Sequence, residues 1–449
     1  MEEINSSSDF KKGDKSSTKN YQPISLTSII CKIMESIIKD DLLTYFNKNK
    51  LIYSKQYGFM PKRSTNTQLL RYFNELSSNI VEGCQVDSIY LDYAKAFDSI
   101  VNSKFKLKNY GVSCNLLEWL SCFLIGRLQS VKVGNSFSEW SPVSSGVPQG
   151  SVLGPILFLI YINDMNFSCP ELKTLFLFAD DAKCFAQIKS ISDCDNLQKS
   201  LDSISQWSNT WQLSLAAEKC QIISFTNNKV VPFNYCYAIN SVPLLRVNDI
   251  VDLGVRFSND FSISLHIKDT CNKARQKASI ILNCFKSKNK DMLFRAFKTF
   301  VRPTLEYCSN LWSPYRKSDI DLIESVQRRF TNRLNGMVGL QYADRLKSLD
   351  TESLEQRRIK ADLCMYYKLV VGLVDLPIDE FFVFKSGITR NNGACIYVNL
   401  FHYNAERYHF KYRCVNAWNS LPASVVNANS LNAFKRCLNN VDFTKFLRS

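Results

Sequence analysis

Two adjacent acids, Asp180 and Asp181, lie between two apolar stretches, and no other feature of the sequence constrains the fold as strongly. The first stretch is Leu175–Phe178, and apolar positions continue through residues 182–185. This pattern predicts a buried β-hairpin with carboxylates at its tip. Neighbouring anions at the end of hydrophobic strands repel each other and lose hydration, so the pattern favours a bound cation. A divalent metal is the obvious candidate.

A second apolar stretch, residues 88–91, also runs into an acid, Asp92. If that strand lies beside the hairpin, three carboxylates converge at one sheet edge, and Mg²⁺ prefers such oxygen ligands. Two such ions about 4 Å apart can activate a hydroxyl and stabilise a leaving oxygen in nucleotidyl transfer. Either acidic cluster alone could equally be a solvated turn, because Asp is a common turn residue.

A glycine-rich loop, SSGVPQGSVLGP at residues 144–155, lies between these two features. Its glycines at positions 146, 150 and 154 allow a ligand to approach the backbone closely. Pro155 suits the first turn of the apolar helix that the following residues predict. Alone, such a loop is weak evidence for a binding site.

Several motifs follow one another along the chain. They are NYQPISL at 20–26, GF at 58–59 with RST at 63–65, LD at 91–92 with KAFD at 95–98, GVPQGSVLGP at 146–155 and FADD at 178–181. In this order they resemble the reverse transcriptase domain of non-LTR (LINE-type) retrotransposons. The resemblance covers roughly residues 11–330, and weaker elements at 307–312 and 415–422 extend it towards the C-terminus.

The resemblance implies an α+β right-hand polymerase fold with an antiparallel palm sheet, helical fingers and thumb, and a helical C-terminal extension. It divides the chain into fingers (20–85), a palm with an inserted part of the fingers (86–262), a thumb (263–346) and the extension (347–449). Residues 1–19, rich in Ser, Lys and acids, are expected to be disordered. Apolar residues at helical spacing behind Pro23 predict a packed helix; they run from Ile29, Ile30, Ile33, Met34 and Ile37 to Leu42 and Phe46.

The implied activity is that of an RNA-directed DNA polymerase, which adds dNTPs to a primer 3′-hydroxyl on an RNA template. Asp92, Asp180 and Asp181 would hold two Mg²⁺ ions, with Mn²⁺ as an alternative, and the backbone carbonyl after Asp92 would be a further ligand. Lys219 matches a lysine that can protonate the pyrophosphate leaving group. A plain surface lysine is the competing interpretation.

The resemblance also implies contacts to the nucleotide and the primer. Phe97 would pack under the sugar and exclude a 2′-hydroxyl, or serve only as core, whereas Asp98 is expected to be structural. The other residues implied in nucleotide binding are Lys62, Arg63, Tyr93, Gln149 and Gly150. Those implied in nucleic-acid binding are Leu253, Gly254, Arg328, Arg329 and Arg333. An exposed basic loop is the alternative for Lys62 and Arg63.

Charge and composition agree with a polyanionic partner, since 56 basic and 41 acidic residues give a net charge of +15. Template RNA, primer DNA and dNTPs are the expected partners. The 16 cysteines form no Cys-x-x-Cys pair, and the three histidines lie far from any cysteine pair, so a zinc site is not expected. No apolar run reaches the roughly 18 residues of a membrane span. Scattered cysteines without a signal peptide predict an intracellular protein, and the resemblance implies action in the nucleus.

A second hypothesis is that the chain is a catalytically dead, RNA-binding remnant of such an element. In the family, a motif like residues 12–14 (KGD) lies inside the polymerase, so the chain is expected to start late. The segment 99–110 is also about two residues shorter than the family pattern, and Asn102 stands where His is usual. The presence of all three acids favours the enzyme.

Overall fold

The computed structural model describes residues 3–10, 14, 16–17, 21–81, 83–101, 106–133, 135–167, 174–226, 233–385, 394–398 and 409–448. The strands are β1 (Glu3–Phe10), β2 (Tyr21–Leu26), β3 (Gln85–Leu91), β4 (Leu128–Val133), β5 (Ser136–Phe137), β6 (Ser141–Pro142), β7 (Leu175–Phe178), β8 (Asp181–Ile188), β9 (Gln221–Phe225), β10 (Ala238–Ile239), β11 (Val242–Pro243), β12 (Leu245–Val247), β13 (Asp249–Asp252) and β14 (Val255–Ser258).

The α-helices up to residue 370 are α1 (Ile29–Lys48), α2 (Thr65–Val81), α3 (Cys114–Leu124), α4 (Gly154–Ile162), α5 (Ile191–Trp211), α6 (Ser264–Cys284), α7 (Lys290–Ala296), α8 (Arg302–Glu306), α9 (Ser309–Trp312), α10 (Lys317–Asn332), α11 (Tyr342–Ser348) and α12 (Leu354–Val370). A π-helical turn, Phe297–Val301, joins α7 to α8. Further α-helices follow at Phe410–Arg413, Val415–Asn419, Ala423–Val426 and Leu431–Leu438. The predicted α+β class is confirmed. Among the residues described, no helix is long and apolar enough to cross a membrane.

The chain divides into two compact units. The first contains residues 1–61, 85–224 and 231–247, and the second contains 62–84, 225–230 and 248–449. The segment predicted to form the fingers is thus shared between the units. The proposed boundaries of fingers, palm, thumb and extension stay predictions.

The first unit is built on a mixed sheet with the strand order β12-β9-β3-β8-β7. β3 and β8 are antiparallel, with Gln85 paired to Ile188 and Leu91 to Ala182, and β7 and β8 form the predicted hairpin. Helix α4 begins with Pro155 in its first turn and is buried along its whole length. The apolar face of α5 is buried as well: Leu197, Leu201, Ile204 and Trp207, which keep helical spacing, belong to the core.

The prediction of disorder for residues 1–19 is wrong for the part that forms β1. This strand pairs antiparallel with β2 and parallel with β4. Strand pairing satisfies backbone donors and acceptors whatever the side chains are, so a polar sequence does not prevent it. β4 also pairs antiparallel with β5.

Helix α1 forms where the periodicity predicted it, but the prediction that its apolar stripe is packed is wrong for the first half of the helix. Ile29 and Ile30 are 77% and 80% exposed, and Ile33, Met34 and Ile37 are exposed too. Only the second half packs inward, through Leu42 and Phe46. The buried residue of the first half is an acid, Glu35.

The second unit combines the hairpin of β13 and β14 with a helical bundle. Helix α10 buries an apolar stripe at helical spacing, Ile320, Ile323, Val326 and Phe330, and Leu334 just beyond the helix is buried too. Arg328, Arg329 and Arg333 lie on the exposed side. In the core of this unit, the Arg413 guanidinium donates to both carboxylate oxygens of Asp362, at 2.7 and 2.8 Å.

Candidate active site

The register of the central sheet brings the predicted acids to the same end of neighbouring strands. Leu91, the last residue of β3, pairs with Ala182 of β8. Continuing this antiparallel register by one residue sets Asp92 opposite Asp181, and residues directly opposite each other project their side chains on the same face. Asp180 precedes β8 in the two-residue turn of the hairpin. Asp92 and Asp181 are exposed and Asp180 is half-buried.

The backbone around Asp92 is fixed by the segment that follows α5. The amide of Ala216 donates to the carbonyl of Asp92 at 2.9 Å, and the amide of Ala94 donates to the carbonyl of Ser214 at 2.9 Å. The amide of Asp92 lies 3.4 Å from Sγ of Cys220. Burial raises the pKa of the Cys220 thiol, so this cysteine stays neutral beside the acid.

The carboxylate of Asp92 faces Lys219, whose Nζ lies 3.7 Å from Oδ1. Their side chains are 49% and 57% exposed, so the pair adds little to stability. Lys219 ends a short 3₁₀ helix, Ala217–Lys219, just before β9. Lys219, which the resemblance implies to be a proton donor, therefore lies next to Asp92, the first of the three predicted acids.

The oxygen donors at this edge suit a hard divalent cation, because Mg²⁺ prefers carboxylate ligands. Within the described part of the chain, no group of three or more His, Cys, Asp or Glu side chains is arranged to hold a metal ion. The register accounts for the closeness of Asp92 and Asp181 only. The convergence of all three carboxylates around ions stays a prediction.

The glycine-rich loop packs against the turn that follows Asp92. The amide of Val147 donates to the carbonyl of Phe97 at 3.0 Å, and that of Gly146 donates to Ile100 at 2.8 Å. A Cβ at Gly146 would lie 2.8 Å from Cα of Asp98, so only glycine fits there. Nε2 of Gln149 donates to Oδ1 of Asp98. Asp98 thus helps to hold the loop in place, in line with the structural role expected of it.

The same loop is anchored a second time at Gly150. The amide of Ser25 donates to the carbonyl of Gln149 at 2.6 Å. Gly150 has φ of 107°, and a Cβ there would lie 2.8 Å from the carbonyl oxygen of Ser25. Oε2 of Glu35 accepts from the amides of Val152 and Leu153, at 2.7 and 3.0 Å.

Sequence reasoning did not predict that Glu35 anchors the glycine-rich loop. The only signal in the sequence was an acid inside an apolar helical stretch.

Phe97 and Tyr93, two palm residues predicted to contact the nucleotide, differ in how accessible their side chains are. The ring of Phe97 is half-buried; it stacks on Phe158 with 4.2 Å between ring centroids and meets Phe59 edge-on at 6.3 Å. Tyr93 is 8% exposed, and its hydroxyl lies 3.6 Å from Sδ of Met165 in the core. Tyr93 is therefore suited to a contact from its main chain, whereas Phe97 keeps part of its ring accessible.

Lys62 and Arg63 belong to the second unit. Nζ of Lys62 donates to the carbonyl of Gly372 at 3.1 Å, and Nε of Arg63 lies 2.7 Å from Oδ2 of Asp375. Both cations thus have partners in the turn at residues 372–375. Their contact with a triphosphate stays a prediction.

Leu253 and Gly254 form the turn between β13 and β14, with φ of 44° and 85°. The hydroxyl of Tyr307 donates to the carbonyl of Leu253 at 2.8 Å, and a Cβ at Gly254 would lie 3.2 Å from the Tyr307 ring. Arg328 lies over the ring of Tyr342 at 5.1 Å. Nucleic-acid contacts by the turn and by Arg328, Arg329 and Arg333 stay predictions.

Comparisons with protein families and with curated proteins both find reverse transcriptases that are similar to this chain. Residues 10–257 match the family model described as reverse transcriptase (RNA-dependent DNA polymerase). The chain is 28% identical over 330 residues to the RNA-directed DNA polymerase from mobile element jockey of Drosophila melanogaster, covering 71% of this chain and 36% of that protein. It is 26% identical over 325 residues to the probable RNA-directed DNA polymerase from transposon X-element of the same organism, with the same coverage.

The chain thus spans about a third of the length of these two curated relatives, 36% in both cases. Among solved structures, apo telomerase from Candida tropicalis aligns with a TM-score of 0.45 at 10% identity, covering 80% of this chain and 61% of the telomerase chain.

Proposed function

The chain belongs to the reverse transcriptase (RNA-dependent DNA polymerase) family, and on that premise we propose that it copies RNA into DNA for a non-LTR retroelement. Its substrates are dNTPs, a template RNA and a DNA primer whose 3′-hydroxyl is extended, and we place its action in the nucleus. One observation supports the proposal: β3 and β8 pair antiparallel up to Leu91 and Ala182, the residues next to Asp92 and Asp181. Two acids almost ninety positions apart in sequence therefore follow the same end of two paired strands, and both are exposed.

In the proposed reaction, the primer 3′-oxygen attacks the α-phosphorus of the dNTP, and the bond from that phosphorus to pyrophosphate breaks. Asp92, Asp180 and Asp181 would hold the divalent ions. When bound, two Mg²⁺ ions would activate the hydroxyl and stabilise the leaving oxygen. Lys219, beside Asp92, is in a position to donate a proton to the pyrophosphate oxygen.

The surrounding residues select and orient the nucleotide. The accessible part of the Phe97 ring would lie under the sugar and clash with a 2′-hydroxyl. Gln149 and Gly150 would face the templating base pair, on a loop held by Ser25, Glu35 and Asp98. This anchoring supports the proposal, because a rigid loop costs little entropy when substrate binds.

The test is primer extension on an RNA template with dNTPs and Mg²⁺, using the full chain. We expect wild-type incorporation to vanish in the double variant Asp180→Asn, Asp181→Asn. The matched control is Asp202→Asn, which changes an exposed acid on α5 and should leave the rate unaltered. Incorporation that survives in the double variant would exclude this site.

The alternative of a catalytically dead remnant predicts a different result from the same preparation. It gives RNA binding that weakens as salt is raised, since phosphate contacts release counterions, but no incorporation by the wild-type chain. Asn102, one of the residues behind this alternative, lies outside the described residues, so primer extension decides.

A further inference from the structure

A short segment of the first unit, residues 55–59, runs along the outer edge of the hairpin that carries the two acids. The amide of Tyr57 donates to the carbonyl of Leu177 at 2.8 Å, and the amide of Leu177 donates to the carbonyl of Lys55 at 3.0 Å. Gln56 and Leu177 form a parallel bridge. The segment therefore pairs with β7 through one parallel bridge and its two flanking hydrogen bonds. We call residues 55–59 the brace.

The side chain of Gln56 connects the brace to the turn that precedes the acids. Gln56 is 2% exposed, and its Oε1 accepts from the amide of Gly58 at 2.8 Å and from the amide of Ala179 at 3.0 Å. Ala179 is the residue just before Asp180 and has φ of 54°, in the left-handed region. One buried carbonyl oxygen thus fixes the strained residue from which the acidic pair starts.

The fit between brace and turn depends on Gly58. A Cβ at this position would lie 2.5 Å from the amide nitrogen of Ala179 and 3.0 Å from the carbonyl carbon of Phe178. Two backbones therefore meet here with no side chain between them. Phe59, the next residue, meets the ring of Phe97. The brace consequently contacts both the turn of the acids and the aromatic ring predicted to lie under the sugar.

We propose that Gln56 is a positioning residue of the polymerase site, which holds Asp180 and Asp181 in the geometry that the reaction needs. This inference rests on the proposed function. Gln56 is separated from the acids by the Ala179 amide and touches no reacting atom, so it acts through the backbone. Residues that orient metal-binding groups from behind typically change metal affinity or activity by about 10- to 100-fold when they are removed.

Three variants separate positioning from ordinary stability. Gln56→Ala removes the acceptor, whereas Gln56→Glu keeps an oxygen where Oε1 lies. The control is Gln85→Ala, because Gln85 is fully buried in the same unit, bonded to Asp87 and Phe233, at the far end of β3 from Asp92. Each protein is assayed for hydrogen exchange of peptides covering residues 175–185, for the Mg²⁺ concentration that half-saturates incorporation, and for thermal unfolding.

We expect Gln56→Ala to accelerate exchange at Ala179 and to raise the half-saturating Mg²⁺ concentration about tenfold or more. Gln56→Glu should restore most of the exchange protection. Gln85→Ala should lower the unfolding temperature without changing exchange in 175–185 or the Mg²⁺ requirement. Unaltered exchange in Gln56→Ala, or an Mg²⁺ requirement equal to that of Gln85→Ala, would overturn the proposal. A wild-type chain that incorporates no dNTP would refute the proposed function instead, and the exchange measurement would still decide whether Gln56 holds the turn.

Discussion

Lys219 and Asp92 form an ion pair at the open edge of the central sheet, with 3.7 Å between Nζ and Oδ1. The two residues come from different places in the sequence, one at the end of β3 and the other just before β9. The interaction neutralises a carboxylate that otherwise stands beside Asp181. It also holds an ammonium group next to the first acid of the proposed site, as the proposed proton donation by Lys219 requires.

Replacing Lys219 by Gln should lower the rate of dNTP incorporation by about 10²- to 10⁴-fold, the usual contribution of a general acid. The Mg²⁺ requirement should stay the same or fall, since a cation that competes for Asp92 is removed. Single-turnover primer extension measures both quantities. Lys199→Gln, on the exposed side of α5, serves as the control. A normal rate in Lys219→Gln would leave the lysine as a surface residue.

Phe97→Val should weaken the discrimination against ribonucleotides, because the smaller side chain no longer meets a 2′-hydroxyl. We expect the preference for dNTP over rNTP to fall roughly tenfold or more. Competitive incorporation of dCTP and CTP gives the ratio directly. Phe167→Ala removes an aromatic ring that is 76% exposed elsewhere in the same unit and should not change the ratio. An unchanged preference in Phe97→Val would assign this ring to packing alone.

Glu35→Ala should destabilise the first unit, because the amides of Val152 and Leu153 lose their acceptor. A buried donor without a partner costs about 1–3 kcal/mol. Glu35→Gln keeps an acceptor oxygen and should lose less. Urea denaturation measures the free energy of unfolding, with exposed Glu139→Ala as the control. Equal losses in the Ala and Gln variants would show that these hydrogen bonds contribute nothing.

Stability should fall in mild acid through the buried histidines of the second unit. Burial lowers the pKa of His266 from 6.5 to about 4 and that of His409 to about 3. Between these values and 6.5 the unfolded chain binds more protons than the folded chain, so the free energy of unfolding decreases as pH falls. Lowering the pH from 7.5 to 5 should cost about 2 kcal/mol through His266.

Urea denaturation at the two pH values checks the histidine effect. Nδ1 of His266 accepts from the amide of Arg256 at 3.2 Å, a bond that protonation removes. His266→Gln should therefore lose less stability than wild type over the same range. A variant as sensitive to pH as wild type would assign the effect to other groups.

Local patterns in the sequence predicted the elements whose side chains match their surroundings. The apolar stretches on both sides of Asp180 and Asp181 predicted the hairpin of β7 and β8, and apolar residues at helical spacing, from Leu197 to Trp207 and from Ile320 to Phe330, form two buried helix faces. The pairing register of the strands is set by burial, because a slip of one residue would turn the apolar face of a strand to solvent. These features depend on residues close together in sequence.

The features that sequence reasoning missed depend on distant partners. Periodicity identified the apolar face of α1 but not what covers it, and Ile29 and Ile30 are exposed. The hydrogen bonds of Glu35 and Gln56 join groups 117 and 123 residues apart, respectively, for which a single sequence carries no local signal. Likewise, β1 has a polar sequence and pairs with β2, a distant partner that its own pattern does not indicate.

The pairing of β3 with β8 limits how this protein can vary. Side chains alternate between the two faces of a strand, so one residue inserted into or deleted from either strand would turn Asp92 and Asp181 to opposite sides. The number of residues between the paired part of each strand and its acid therefore cannot change by one without separating the two carboxylates. Segments between the two strands that do not contact the site carry no such restriction and can change length while the acids remain neighbours.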